Sequence, residues 1–145
     1  MAPAPGFESL PGTPLAEGTF TITNEDEQRV IEVVGGESPA GDEAHPLWAY
    51  IAPQRGIGTS IEEICRLADF DVNDGPRLGS SHLEYHAPLR VGAPYRVTGE
   101  VLSIERKQGS IGTFDILEFR EHLVTPDGEP VATSTSTYIL PRKSS

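Results

Sequence analysis

The sequence predicts a single α+β domain in which one helix covers an antiparallel β-sheet. Four strand-like segments follow one another in the second half of the chain, at positions 81–87, 94–106, 112–125 and 129–140. Pro126-Asp127-Gly128 joins the last two as a hairpin turn, because glycine tolerates the positive φ that such a turn needs. Segment 59–70 has the clearest helical pattern and is the best cover for the apolar face of the sheet.

Segment 59–70 has both a start signal and an apolar stripe. Either Thr59 with Glu62 or Ser60 with Glu63 can form a capping box, in which each side chain bonds the backbone N–H of the other residue. Four apolar side chains then recur at helical spacing and are expected to face a core: Ile61, Ile64, Leu67 and Ala68.

The first part of the chain begins irregularly. Residues 1–18 are rich in Pro, Gly and Ala and are expected to form an extended or disordered arm. A short strand at 17–23 and a helix at 23–34 follow. Thr23 or Asn24 can cap this helix, whose acidic first turn suits the positive end of the helix dipole.

Residues 35–58, in the middle of the chain, show no clear helical or strand periodicity of apolar residues. Turn-forming residues fill 35–46, and they are followed by a short apolar run at 47–51 and a glycine-rich loop at 52–58. We therefore expect the folded domain to span residues 19–141, with a short tail at 142–145.

The length, net charge and cysteine count of the chain limit the classes of function that it can have. At 145 residues the chain can bury one core, and its single cysteine, Cys65, excludes an intramolecular disulfide framework. The formal charge of −11 argues against a nucleic-acid partner, because phosphate binding needs clustered Lys and Arg. No apolar run approaches the roughly 20 residues that span a bilayer, and the N-terminus lacks signal-peptide features. A cytoplasmic protein with no membrane partner is expected.

Four short motifs, taken in order and spacing, resemble the MaoC-like dehydratase/hydratase family over roughly residues 19–140. They are Thr23-Asn24-Glu25-Asp26, Ile51-Ala52-Pro53, Tyr85-His86-Ala87-Pro88-Leu89-Arg90-Val91-Gly92 and Thr125-Pro126-Asp127-Gly128-Glu129-Pro130-Val131-Ala132. The resemblance implies a hot-dog fold, in which an antiparallel β-sheet is wrapped around a central α-helix. Segment 59–70 is then the expected central helix.

Hydratases of this family carry an Asp and a His in a Gly-Asp-x-Asn-Pro-x-His loop. Adding water across an α,β double bond needs a base for the water and a proton donor for the α-carbon. Here the loop begins Gly36-Glu37-Ser38-Pro39, with Glu in place of Asp, and Asp42 and His45 follow slightly later. The resemblance implies either a remodelled loop, in which His45 acts with Asp42 or Glu37, or a chain that has lost the pair.

The segment before 59–70 is expected to contact the thioester, as it does in related proteins. The thioester oxygen gains negative charge during the reaction and needs backbone N–H donors. The candidate residues are Gln54, Arg55, Gly56, Ile57 and Gly58. The two glycines can equally be a flexible lead-in to the helix. Trp48 is expected either to line an acyl pocket or to pack beneath the sheet.

The resemblance implies a hydratase or dehydratase for an enoyl- or 3-hydroxyacyl-thioester. Coenzyme A or acyl carrier protein would be the substrate carrier, and no metal or redox cofactor is implied. Two alternatives stay open: a non-catalytic hot-dog subunit that pairs with a catalytic chain, and a thioesterase that uses Glu62 or Glu63. Because a hot-dog sheet exposes a long edge, we expect a homodimer or a heterodimer with another hot-dog chain.

Overall fold

The computed structural model describes residues 9–35, 41–110 and 112–142. Within these residues the chain forms one antiparallel sheet, with its strands in the order β1-β3-β4-β5-β2. The strands are β1 (Pro14–Thr21), β2 (Arg77–Tyr85), β3 (Pro94–Gly109), β4 (Gly112–Val124) and β5 (Pro130–Pro141). The helices are α1 (Asn24–Val34), α2 (Trp48–Gly56) and α3 (Ile61–Leu67), with a 3-10 turn at Val72–Asp74. The predicted α+β class is confirmed.

The central helix of the fold is α2, which lies against all five strands. Its buried residues are Trp48, Ala49, Ala52, Pro53 and Gly56. The prediction of a central helix at 59–70 is therefore wrong, and so is the prediction of a loop at 52–58 for residues 52–56, which belong to α2. A helix that is buried on several sides has little polar surface, so its sequence shows no clear apolar stripe.

The third helix, α3, covers the other end of the sheet and is shorter than predicted. Ser60 and Glu63 form its capping box, with the Glu63 N–H donating to Ser60 Oγ at 3.1 Å. Ile64 and Cys65 are buried in a core cluster that also includes Val101, Leu117, Phe119 and Leu140. None of the described helices is both long and apolar enough to cross a bilayer.

The N-terminal elements follow the sequence pattern with one extension. Thr23 caps α1 by accepting from the Asp26 N–H at 3.1 Å, and Gly35 ends the helix with a φ of 71°. β1 begins at Pro14 and buries Leu15, so residues 14–18 of the predicted arm belong to the sheet.

The long hairpin of β3 and β4 extends further than predicted. The strand predicted at 94–106 continues to Gly109, which pairs with Gly112. Near this end, Asp115 is fully buried and accepts from Arg106 Nε at 2.9 Å and from Arg142 Nε at 2.7 Å. Arg142 also donates to the Ala68 and Asp69 carbonyls, which attaches the end of α3 to the sheet.

Candidate functional site

The start of α2 is fixed by Glu27, a buried acid on α1. Glu27 Oε1 accepts from the indole N–H of Trp48 at 3.1 Å. The backbone N–H of His45 donates to both carboxylate oxygens of Glu27, at 3.1 and 3.0 Å. Sequence reasoning missed this residue, because Glu27 stands beside Glu25 and Asp26 and resembles an ordinary acidic first turn.

The imidazole of His45 is half-buried and already makes a hydrogen bond within its own turn. The Leu47 backbone N–H donates to Nδ1 of His45 at 3.0 Å. A neutral imidazole whose Nδ1 accepts must carry its proton on Nε2. In this geometry Nε2 of the neutral His45 ring carries the hydrogen, so it can donate a hydrogen bond but has no lone pair with which to take a proton from water.

The predicted acidic partners of His45 are engaged elsewhere or fall outside the described residues. Asp42 Oδ1 accepts from Arg90 Nη1 at 2.7 Å, and its side chain is 66% exposed. The Asp42 carbonyl also accepts from the Val91 N–H at 2.7 Å. Glu37 lies outside the described residues. The hydrogen-bond partners of Asp42 therefore differ from those of His45.

The segment expected to hold the thioester oxygen packs closely on β1. The Ile57 N–H donates to the Pro53 carbonyl at 2.9 Å, and the Gly58 N–H donates to the Ala16 carbonyl at 2.8 Å. An oxyanion hole built from these two donors would require both bonds to break.

The two glycines of this segment have a packing role. A Cβ atom on Gly56 would lie 2.6 Å from Val97 Cγ2 and 2.8 Å from Phe20 Cβ. A Cβ atom on Gly58 would overlap the Glu17 carbonyl. Both positions therefore allow a close approach to β1 that a larger residue would block.

Four of the predicted substrate-binding residues line two separate cavities. Trp48 and Arg55 line one of about 240 Å³ between α1 and α2, where Trp48 is itself fully buried. Gln54 and Ile57 line another of about 210 Å³ at the junction of α2 and α3. Asp42 lines neither of these, and instead borders a third cavity of about 480 Å³ beside α1.

The cavity at the α2–α3 junction contains a buried acid that the sequence analysis did not select. Glu121 is only 1% exposed, and its Oε1 has no hydrogen-bond partner among the described residues. Burial raises the pKa of Glu121 to about 7. The strand pattern indicated its burial. Glu121 occupies an inward-facing position of β4, as do Leu117, Phe119 and Leu123 at every second place.

The carboxylates considered for thioester hydrolysis are both exposed. Glu63 accepts hydrogen bonds from Ser60 in the capping box. Glu62 accepts from Arg66 Nη2 at 3.1 Å, with both side chains more than half exposed. Each carboxylate thus has a local structural partner on α3.

Residues 9–134 match the family described as "FAS1-like, dehydratase domain region". The chain belongs to this dehydratase-domain family, and the resemblance to MaoC-like proteins is confirmed. No curated protein matches the chain.

Several solved structures have a similar fold. A C-terminally truncated HadBC complex, a 3R-hydroxyacyl-ACP dehydratase from Mycobacterium tuberculosis, is 16% identical with a TM-score of 0.70, over 90% of this chain and 96% of that one. The ChsH1-ChsH2 complex from the same organism is 18% identical with a TM-score of 0.69, over 95% and 89%. A MaoC-like dehydratase from Rhodospirillum rubrum is 16% identical with a TM-score of 0.63, over 95% and 97%. The fold is thus the predicted hot-dog fold.

Proposed function

We propose that the chain is an acyl-thioester-binding subunit of a hot-dog hydratase or dehydratase, and that a second hot-dog chain supplies the catalytic base. Membership of a dehydratase-domain family supports the reaction class. The hydrogen bond from the Leu47 N–H to Nδ1 of His45 supports the assignment of the catalytic base to the second chain. It leaves Nε2–H of the imidazole as a hydrogen-bond donor, whereas hydration needs a group that takes a proton from water.

The pairing of two chains is supported by the free edge of the sheet. β2 is the last strand of the sheet on one side, and most of its residues are exposed. An unpaired strand edge offers backbone N–H and C=O groups to another strand. Two solved structures of the same fold, HadBC and ChsH1-ChsH2, are described as complexes. A second hot-dog chain is therefore the partner that we propose.

A second candidate is a hydratase that carries its own His and acid. The exposed carboxylate of Asp42 favours this candidate, because it borders a cavity of about 480 Å³ together with Glu27. In such an enzyme Asp42 or Glu37 would take a proton from water and then deliver it to the α-carbon, while Nε2–H of His45 donates a hydrogen bond. The Arg90 salt bridge to Asp42 would have to open first.

Binding and turnover of enoyl-CoA distinguish these candidates. The purified chain is titrated calorimetrically with crotonyl-CoA and octenoyl-CoA, and the enoyl absorbance and free thiol are followed in parallel. We expect binding with neither hydration nor thiol release. Hydration that is lost in His45→Ala but kept in the control His82→Ala would instead support the second candidate. Thiol release would support hydrolysis, and absence of binding would contradict the proposal.

A further inference from the structure

The inward face of β4 carries two buried acids in very different surroundings. Asp115 accepts hydrogen bonds from Arg106 and Arg142, which compensate its burial. Glu121 lies six residues further along the same face, is equally buried, and forms no salt bridge within the described residues. A buried acid without a partner is costly, so its retention needs an explanation.

The space beside Glu121 is a small, mostly apolar cavity. Its buried floor includes Phe119 and Glu121, and its exposed rim includes Gln54 and Ile61. The remaining lining residues are Ile57, Thr59, Ile64 and Tyr138. A volume of about 210 Å³ equals roughly seven water molecules in the liquid, which suits part of an acyl chain rather than a whole coenzyme.

A second unpartnered oxygen lies next to Glu121. Ser134 on β5 is directly opposite Glu121 in the antiparallel ladder and is also 1% exposed. Its Oγ has no hydrogen-bond partner among the described residues. Residues opposite each other in such a ladder lie on the same face of the sheet. Two neighbouring oxygen atoms, Glu121 Oε1 and Ser134 Oγ, therefore lack hydrogen-bond partners within the described part of the chain.

We propose that Glu121 is a specificity-determining residue, which hydrogen-bonds a hydroxyl or carbonyl oxygen carried on an otherwise apolar acyl chain in this cavity. The inference rests on the proposed function, because it takes an acyl thioester as the ligand. The apolar lining receives the chain, and the carboxyl group recognises the oxygen. A site built around a buried polar group rejects an analogue that leaves this group unpaired.

Both protonation states of Glu121 can recognise oxygen. Below its raised pKa of about 7, the carboxylic acid donates its O–H to a carbonyl or hydroxyl oxygen. Above it, the carboxylate accepts a hydrogen bond from a hydroxyl group but cannot bind a carbonyl. The other titratable residue that lines the cavity is Tyr138 from β5, which is not basic. Burial raises the pKa of Tyr138, and Tyr50, Glu121 and Cys65 raise it further.

The test compares matched thioesters that differ by one hydroxyl group. Calorimetric titration of the purified chain uses octanoyl-CoA, 3-hydroxyoctanoyl-CoA and ω-hydroxyoctanoyl-CoA. The wild type is expected to bind at least one hydroxylated thioester about tenfold or more tightly than octanoyl-CoA. Glu121→Leu should lose this preference while it keeps octanoyl-CoA affinity. Glu121→Gln, which retains a polar group, should keep part of the preference.

Glu118→Leu is the matched control, because Glu118 lies on the same strand but points to the opposite face. This variant should keep the wild-type preference. Equal affinity of the wild type for all three thioesters would overturn the role of Glu121 while leaving acyl-thioester binding intact. Retained preference in a folded Glu121→Leu variant, checked by circular dichroism, would overturn it too. Failure of the wild type to bind any thioester would overturn the proposed function itself.

Discussion

The indole N–H of Trp48 donates to Glu27 Oε1 at 3.1 Å, and this bond joins the first turn of α1 to the first turn of the central helix. The same carboxylate accepts from the backbone of His45. One buried side chain therefore positions both the central helix and the loop that carries the candidate His.

Replacing Glu27 should destabilise the fold strongly. Glu27→Ala leaves the buried Trp48 N–H without a partner and removes charge-assisted hydrogen bonds, at a cost of about 3 kcal/mol. Urea unfolding measures the change. Glu25→Ala is the control, since its salt bridge to Arg29 is exposed and is expected to contribute less than about 1 kcal/mol. Equal effects of the two substitutions would contradict the proposed role of Glu27.

Gly56 should tolerate no side chain. In Gly56→Ala the new methyl group would lie 2.6 Å from Val97 Cγ2, so the core must shift, at a cost of about 1–3 kcal/mol. The control is Gly109→Ala, whose nearest neighbour beyond the adjacent residues is Phe114 Cε1 at 3.4 Å, an ordinary contact. This control should change the free energy of unfolding by less than about 0.5 kcal/mol. A neutral Gly56→Ala would mean that α2 lies further from β1 than the structure has it.

The contrast between α2 and α3 explains how much of the fold the sequence predicts. α3 is partly exposed, with Ile61 37% and Leu67 40% accessible, so its polar and apolar residues alternate visibly along the helix. α2 is mostly buried and contains Pro53 and Gly56, which are usually loop signals. The strands and their hairpins were predictable because each has one inward and one outward face. Sequence pattern thus located the layers but selected the wrong central helix.

The candidate site was less predictable than the fold, because its partners are distant in sequence. The bond from Arg90 to Asp42 spans 48 positions, and the bond from Trp48 to Glu27 spans 21. No local motif indicates such contacts. Glu121 is different, since the alternation of inward and outward positions along β4 alone predicts that it lies inside.

The exposed edge of β2 should mediate pairing of two chains. Leu78 on this strand is 50% exposed, which favours burial against a second strand. Without another kind of hot-dog chain, the purified protein is expected to sediment as a dimer of copies. With Leu78→Glu, the sedimenting species should have the mass of a monomer. Val33→Glu, at an 86% exposed position on α1, should leave the dimer unchanged. A monomeric wild type, or dimer loss in both variants, would contradict this interface.

Glu121 should make the protein less stable as the pH rises. Its pKa is about 7 in the folded state and about 4.5 when unperturbed, because burial disfavours the charged form. Between these values the folded chain holds a proton that the unfolded chain has released. The stabilisation that protonated Glu121 provides is therefore complete below about pH 4.5, and about 3 kcal/mol of it is lost by about pH 8.

Glu121→Gln removes this titration and isolates its effect. The free energy of unfolding of this variant relative to wild type should increase by about 3 kcal/mol between about pH 4.5 and pH 8, measured by urea titration at each pH. Glu118→Gln removes a carboxylate from the outer face of the same strand, and controls for the loss of one negative charge. Parallel stability curves for wild type and Glu121→Gln would mean that water or a hydrogen-bond donor reaches the Glu121 carboxylate. The acid would then need no ligand to compensate its burial, and the argument that the cavity binds an oxygen-bearing acyl chain would fail.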